Sequence, residues 1–211
     1  MDSRCAVRAE GQLSNWFQIV TGVRQGCILS PLIFLIVIDW VMKQATSSIS
    51  IGLEWLNNEH LVDLDFADDI ALIDTTQTTM QEITHRVEKT ASHVGLYINA
   101  AKTKVMPVSN EYNTSGDILV ESNPIEFVEE FCYLGSIIQH NSSCDADIRS
   151  RIGKTNSVFA RLNRIWKDRK LSLQIKMRLY ESLILSTLLY SAETWNMTVV
   201  NRKKLETAHH R

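Results

Sequence analysis

The sequence lacks paired cysteines, an opening secretion signal, an uninterrupted apolar span and any marked excess of one charge. Its four cysteines, Cys5, Cys27, Cys132 and Cys144, are scattered without a CxxC pair. That argues against a disulfide framework and for a reducing, intracellular setting, cytoplasmic or nuclear. His209-His210 has no zinc-type partner spacing and reads as a solvated tail. The start, "MDSRCAVRAEGQ", is polar, so no secretory leader is expected, and N-x-S/T triplets at Asn113, Asn141 and Asn196 carry no weight without one. The most apolar stretch, "ILSPLIFLIVIDWVM" (28–42), is broken by Ser30, Pro31 and Asp39. A membrane span needs roughly 18 uninterrupted apolar residues, so a buried core helix is expected instead. No repeat or low-complexity tract is present. With 45% hydrophobic and 22% charged residues, the 211-residue chain is of globular type, one domain or two small ones.

The net charge of −2 conceals a division. Residues 1–144 hold 8 Lys and Arg against 18 Asp and Glu, whereas residues 145–211 hold 14 against 6. Two parts with different electrostatic tasks are one reading, and solvated basic helix faces are the other.

Residues 5–21 read as short strands joined near Glu10-Gly11. Ser30 followed by Pro31 predicts a helix start with Ser30 as the cap, running to about Thr46. That helix is apolar nearly all round, which places it at the centre of the fold. Thr79-Met-Gln-Glu82 has capping-box spacing, and Met80, Ile83, Val87, Ala91 and Val94 form a helical stripe that stops at Gly95. Residues 96–108 look extended. Two strands are expected around Ser122-Asn123-Pro124, and "FCYLGSII" (131–138) reads as one strand with a glycine break. From Asp145, Ile148, Ile152, Thr155, Phe159, Leu162 and Trp166 step as an amphipathic helix of about six turns. A second helix over roughly 172–195 is apolar enough to be buried on several sides. "NRKKLETAHHR" opens a third.

"DFADDIAL" (65–72) sets Asp68 beside Asp69 within a strand-like alternation of Val62, Leu64 and Phe66, then Ile70 and Leu72. Two strands with a tight turn at 67–70 fit it, because aspartate tolerates turn geometry. Two carboxylates at a hairpin tip suit hard divalent cations, which cancel their repulsion. Taken alone, the doublet fits a plain exposed turn as well. An EF-hand starting at Asp63 is excluded, since Ala67, Asp68 and Asp74 stand where Asp or Asn, Gly and Glu are needed.

The doublet has company. "TGVRQGCILSPLIF" (21–34), "FADD" (66–69), "GLYINAAKTK" (95–104) and "FCYLGSII" resemble, in order and spacing, motifs B, C, D and E of non-LTR retrotransposon reverse transcriptases, in particular the RTE/BovB-like group. "DIRSRIGKTNSVFARLNRIW" and "LLYSAETW" resemble that group's thumb. The resemblance implies an α+β fold: a right-hand polymerase palm, an antiparallel sheet with packed helices, over 1–140, then an all-helical thumb over 141–211, the fingers being absent. It implies RNA-directed DNA synthesis with two Mg²⁺ ions, an RNA template, a DNA primer and deoxynucleotide triphosphates as partners, and no membrane.

By the same resemblance Asp68 and Asp69 would hold the metals, and Lys102 would neutralise or protonate departing pyrophosphate. Arg24, Gln25 and Gly26 would sit where template base and incoming nucleotide meet. Tyr133, Leu134 and Gly135 would form the primer grip. Arg149, Arg151, Lys154, Arg161 and Arg164 would contact the nucleic-acid backbone. A further metal-binding aspartate, in motif A, lies well upstream of the Gln-Gly of motif B in the family, yet only 24 residues precede Gln25. The expectation is therefore a truncated copy, inactive alone. The alternatives are a non-catalytic nucleic-acid-binding relic of a retroelement and a degenerate, poorly folded product.

Overall fold

The computed structural model describes residues 3–19, 22–23, 26–47, 52–55, 59–108 and 116–210. The architecture is α+β, with short strands and two long helices in the first two thirds and helices alone in the last third. Two compact units emerge, Met1–Thr103 with Gly116–Ile125, and Lys104–Ser115 with Glu126–Arg211.

The first unit opens with two antiparallel ladders. β1 (Ser3–Cys5) pairs with β4 (Phe17–Ile19), and β2 (Arg8–Ala9) pairs with β3 (Gln12–Leu13) about the left-handed Glu10-Gly11 turn. Helix α1 spans Ser30–Thr46. Its cap position falls on Leu29, which offers no side-chain hydrogen bond, so Ser30 is the first helical residue rather than the cap. β5 (Leu53–Glu54) pairs with β6 (His60–Leu61), and β7 (Asp63–Phe66) with β8 (Asp69–Leu72). Gly52 is demanded there: it has φ +95°, and a Cβ would come within 2.5 Å of the Leu61 carbonyl oxygen.

Helix α2 spans Gln77–His93. Thr76, not Thr79, caps it, accepting the Thr79 N–H. Asp74 reinforces that end by accepting from the Thr76 N–H at 2.8 Å and the Gly52 N–H at 2.7 Å. Burial raises the Asp74 pKa, but hydrogen bonds from the Thr79 hydroxyl and the Gly52, Thr76 and Thr75 amides outweigh it, leaving the carboxyl below its ordinary value. The helix ends as the stripe predicts. Gly95 takes φ +75°, its N–H reaches Ser92 O at 3.1 Å, and the Leu96 N–H reaches Ala91 O at 3.0 Å, a Schellman closure.

The core of this unit is the α1–α2 contact. Ile38, Val41, Met42 and Ala45 meet Ile83, Val87 and Ala91, and Ile70, Leu72, Leu96 and Ile98 close the edges. Among the described residues, one helix and one two-stranded hairpin cover only one side of α1. Leu32, Ile33, Leu35, Ile36 and Trp40 are exposed, which corrects the expectation of all-round burial. β10 (Leu119–Val120) and β11 (Asn123–Pro124) return to α2 across the left-handed Glu121-Ser122 turn. The Gln81 amide fastens them, donating to Leu119 O at 3.0 Å and accepting its N–H at 2.6 Å.

In the second unit β9 (Lys104–Val105) and β12 (Glu126–Phe127) form a parallel pair, and β13 (Glu130–Tyr133) and β14 (Ser136–Gln139) an antiparallel hairpin. "FCYLGSII" is thus two strands, because Leu134 and Gly135 both adopt positive φ and reverse the chain. Helices α3 (Asp145–Arg161), α4 (Asn163–Lys167), α5 (Leu173–Leu179), a π-helical turn (Tyr180–Leu185), α6 (Ser186–Leu188) and α7 (Val199–His209) follow. The expected six-turn helix therefore breaks at Leu162, and the second helix ends at Leu188, short of Ser191, which is left-handed at φ +65°. Cys144, Ile148 and Trp195 form a buried cluster here. The hairpin at 130–139 falls in this helical unit.

Among the described residues the strands form seven separate two-stranded ladders rather than one antiparallel sheet. Strands of two to four residues, repeatedly interrupted by left-handed turns, have little edge to offer a third partner. No helix among the described residues is long and apolar enough to cross a membrane.

Candidate functional site

The aspartate doublet lies at the tip of the β7–β8 hairpin, where Phe66 faces Asp69 in the register. The connecting residues are Ala67 and Asp68. Ala67 takes φ +58° while Asp68 stays negative, the sign pattern of a type II′ turn. Glycine usually fills that first position, so alanine there carries strain. Asp68 and Asp69 are both exposed, and water screens their repulsion. Apolar burial flanks them on one side only. Ile70 and Leu72 pack on the helix core, but Leu64 is 46% and Phe66 63% exposed.

Two further carboxylates share the other face of β7. Burial raises the Asp63 pKa, partly opposed by a hydrogen bond from Asp65. Asp65 is raised by burial first, then by the Asp63 charge, their mutual hydrogen bond and the Asp39 charge. Asp39 is itself paired with Lys43 at 2.7 Å. Among the described residues, no group of three or more His, Cys, Asp or Glu is arranged to hold a metal. The doublet supplies two carboxylates on an open tip.

Lys102 stands in a turn rather than an extended strand. Asn99 makes the turn: its carbonyl accepts the Lys102 N–H at 3.1 Å and the Thr103 N–H at 2.9 Å, and its side-chain oxygen accepts the Lys102 N–H at 3.2 Å. This gives the Asn-x-x-Lys-Thr spacing a physical cause, and it leaves the Lys102 side chain exposed. Arg24 and Gln25 lie outside the described residues. Gly26 is exposed at φ +84°, where a left-handed backbone favours glycine, and among the described residues nothing lies within 4 Å of where a Cβ would sit. With Val23, Cys27, Ser30, Pro31 and Phe34 it lines an open cleft of about 420 Å³ at the start of α1. Asp68, Asp69, Lys102 and Gly26 share the first unit. Among the described residues, no ion pair or hydrogen bond joins the two aspartate side chains to Lys102.

Tyr133, Leu134 and Gly135 turn the β13–β14 hairpin in the second unit. Tyr133 is half-buried, whereas Leu134 and Gly135 are exposed. The turn is anchored to α3. Asp147, wholly buried, accepts from Ser136 Oγ at 2.9 Å, the Ile137 N–H at 3.1 Å and Trp195 Nε1 at 2.9 Å. Arg151, one helical turn on, lies 3.6 Å from Asp147 and donates to the Gly135 carbonyl. Its guanidinium stacks 4.3 Å above the Tyr190 ring, and Tyr190 Oη donates to Leu134 O at 2.9 Å.

Of the five cations assigned to the nucleic-acid backbone, Arg149, Lys154, Arg161 and Arg164 are exposed. Arg151 is 6% exposed and committed within the protein, so it is not presented as a phosphate contact. Sequence reasoning missed the hub of Asp147, Arg151, Tyr190 and Trp195. An i,i+4 Asp-Arg pair is ordinary on a helix surface, and nothing local distinguishes a buried one.

The family model described as "Reverse transcriptase (RNA-dependent DNA polymerase)" matches residues 3–138. A transposon-derived protein of Caenorhabditis elegans is 27% identical over 160 residues, 73% of this chain and 56% of that protein. The RNA-directed DNA polymerase from mobile element jockey of Drosophila funebris is 26% identical over 208 residues, 91% of this chain and 21% of that protein. The chain thus spans about half of one curated relative and a fifth of the other.

Proposed function

Because the chain belongs to the reverse transcriptase family, we propose that it is a palm-and-thumb portion of a non-LTR retrotransposon RNA-directed DNA polymerase. The observation that carries this reading is the exposed Asp68-Asp69 doublet at a tight antiparallel tip, inside the matched region. In the proposed reaction a primer 3′-hydroxyl oxygen gives up its proton to water and bonds to the α-phosphorus of a deoxynucleotide triphosphate, and the bond to pyrophosphate breaks. Exposed Lys102 is placed on a structured turn from which a proton or positive charge can meet the leaving group. The cleft at Gly26 is the proposed meeting place of template base and nucleotide. The Tyr133-Leu134-Gly135 turn is assigned to the primer end. Mg²⁺ is the cation that Asp68 and Asp69 suit by hardness and charge.

These 211 residues by themselves are proposed not to extend a primer, since among the described residues only two carboxylates meet at the tip. Loss of one metal ligand costs orders of magnitude in rate. Primer extension on poly(rA)/oligo(dT) with Mg²⁺ or Mn²⁺, beside an Asp68→Asn control, tests this. No product above background is expected; extension abolished by the substitution would overturn the inactivity and leave the family chemistry standing.

A second reading, binding of duplex without catalysis, is favoured by the exposed Arg149, Lys154, Arg161 and Arg164. It expects affinity that falls steeply with salt and ignores Asp68→Asn.

A further inference from the structure

We propose that Arg151 and Tyr190 are positioning residues that set the conformation of the Leu134-Gly135 turn, and that the turn's discrimination of a primer end depends on them. The proposal rests on the assignment of that turn to the primer end. The turn is demanding: Leu134 has φ +48° and Gly135 φ +83°. Leucine disfavours the left-handed region, so its surroundings must hold it there. They do so residue by residue. Tyr190 Oη binds the Leu134 carbonyl, Arg151 the Gly135 carbonyl, and Asp147 both the Ser136 hydroxyl and the Ile137 N–H. The Leu134–Gly135 peptide is trans, so fixing the Leu134 carbonyl on Tyr190 aims the Gly135 N–H to the opposite side.

Stability alone is a poor account of this arrangement. A buried ion pair usually stabilises no better than well-packed apolar residues of the same size. The β13–β14 ladder already pairs Glu130 through Tyr133 with Gln139 through Ser136. What the hub adds is one defined shape for the two residues the ladder does not reach. Arg151 therefore bears on nucleic acid through the turn, not through a phosphate contact of its own.

The test uses the full 211-residue chain and measures Kd by fluorescence anisotropy for two duplexes of equal length. One is a DNA primer on an RNA template with a recessed 3′ end, and the other is blunt. The unaltered chain is expected to prefer the recessed end. Tyr190→Phe removes one hydroxyl from a residue 50% exposed, so folding should survive. It should cut the preference by about three- to tenfold, the worth of one hydrogen bond, with blunt-duplex Kd unchanged. Arg151→Met should abolish the preference. Arg151→Lys should lose most of it, because an ammonium cannot stack on Tyr190 and reach Gly135 in the same fork geometry. Should Arg151→Met fail to melt cooperatively, Tyr190→Phe decides. Variants that melt normally and keep the full preference would overturn the positioning role. A preference missing from the unaltered chain would overturn the primer-end assignment itself, and the positioning role with it.

Discussion

Two hairpins of the same length carry residues assigned to function, and they are built on opposite plans. The β7–β8 tip carries Asp68 and Asp69 in the open, with a non-glycine residue in a left-handed turn. The β13–β14 tip is also left-handed, but Leu134 is tied to Tyr190 and Gly135 to Arg151, which is paired with the buried Asp147. The difference follows from what each tip displays. Charge is cheapest to keep where water reaches it, so the acidic tip needs no supporting shell. A backbone shape has no such solvent help. It must be imposed by neighbours, and those neighbours are charged groups taken out of water.

The contrast breaks most sharply if the supporting shell is removed. Asp147→Ala leaves the Arg151 guanidinium buried without its counter-ion, and we expect a loss of about 3–5 kcal/mol in urea unfolding of the helical unit. Asp68→Asn at the open tip should stay within about 0.5 kcal/mol. Similar losses for the two would show that the hub is not the anchor its geometry describes.

Strain at the open tip predicts a smaller change of opposite sign. Ala67→Gly keeps φ +58° without a Cβ penalty and is expected to raise stability by up to about 1 kcal/mol, read by thermal melting. A fall in Tm would mean that the turn carries no strain.

The smallest effect is in pH dependence. The folded state holds the Asp65 carboxyl above its ordinary value of 3.8, so it favours the protonated form. That contribution is complete below 3.8 and is lost as pH rises through the raised value. Asp65→Asn, which cannot ionise, should therefore melt higher than the natural chain at neutral pH, with the gap closing towards pH 3 to 4. An equal gap at both ends of that range would assign the shift to some other group.

Much of the candidate site was legible in the chain itself. The alternation around Asp68-Asp69 is local, and a turn is the one backbone form that tolerates adjacent carboxylates in a strand pair. The α2 stripe closing at Gly95 was legible for the same reason, since cap, period and stop lie within one element. Less legible was anything that depends on what lies alongside. The α1 sequence announces a buried helix, yet Leu32, Ile36 and Trp40 are exposed because nothing among the described residues covers that side. Arg151 looks like its basic neighbours in the sequence, and only the packing of Tyr190 and the β13–β14 turn against it separates it from them.

Local pattern and residue chemistry alone determined the α+β class, the doublet at a tight turn, the left-handed glycine stop of α2 and the uneven distribution of charge. Those depend on neighbours in sequence, where periodicity and turn chemistry act directly. Tertiary structure decided which cation is buried, which apolar face is left open and which turn is held by a hub. Each of these depends on desolvation and hydrogen bonding between residues as far apart in the chain as Leu134 and Tyr190, and no local pattern encodes that.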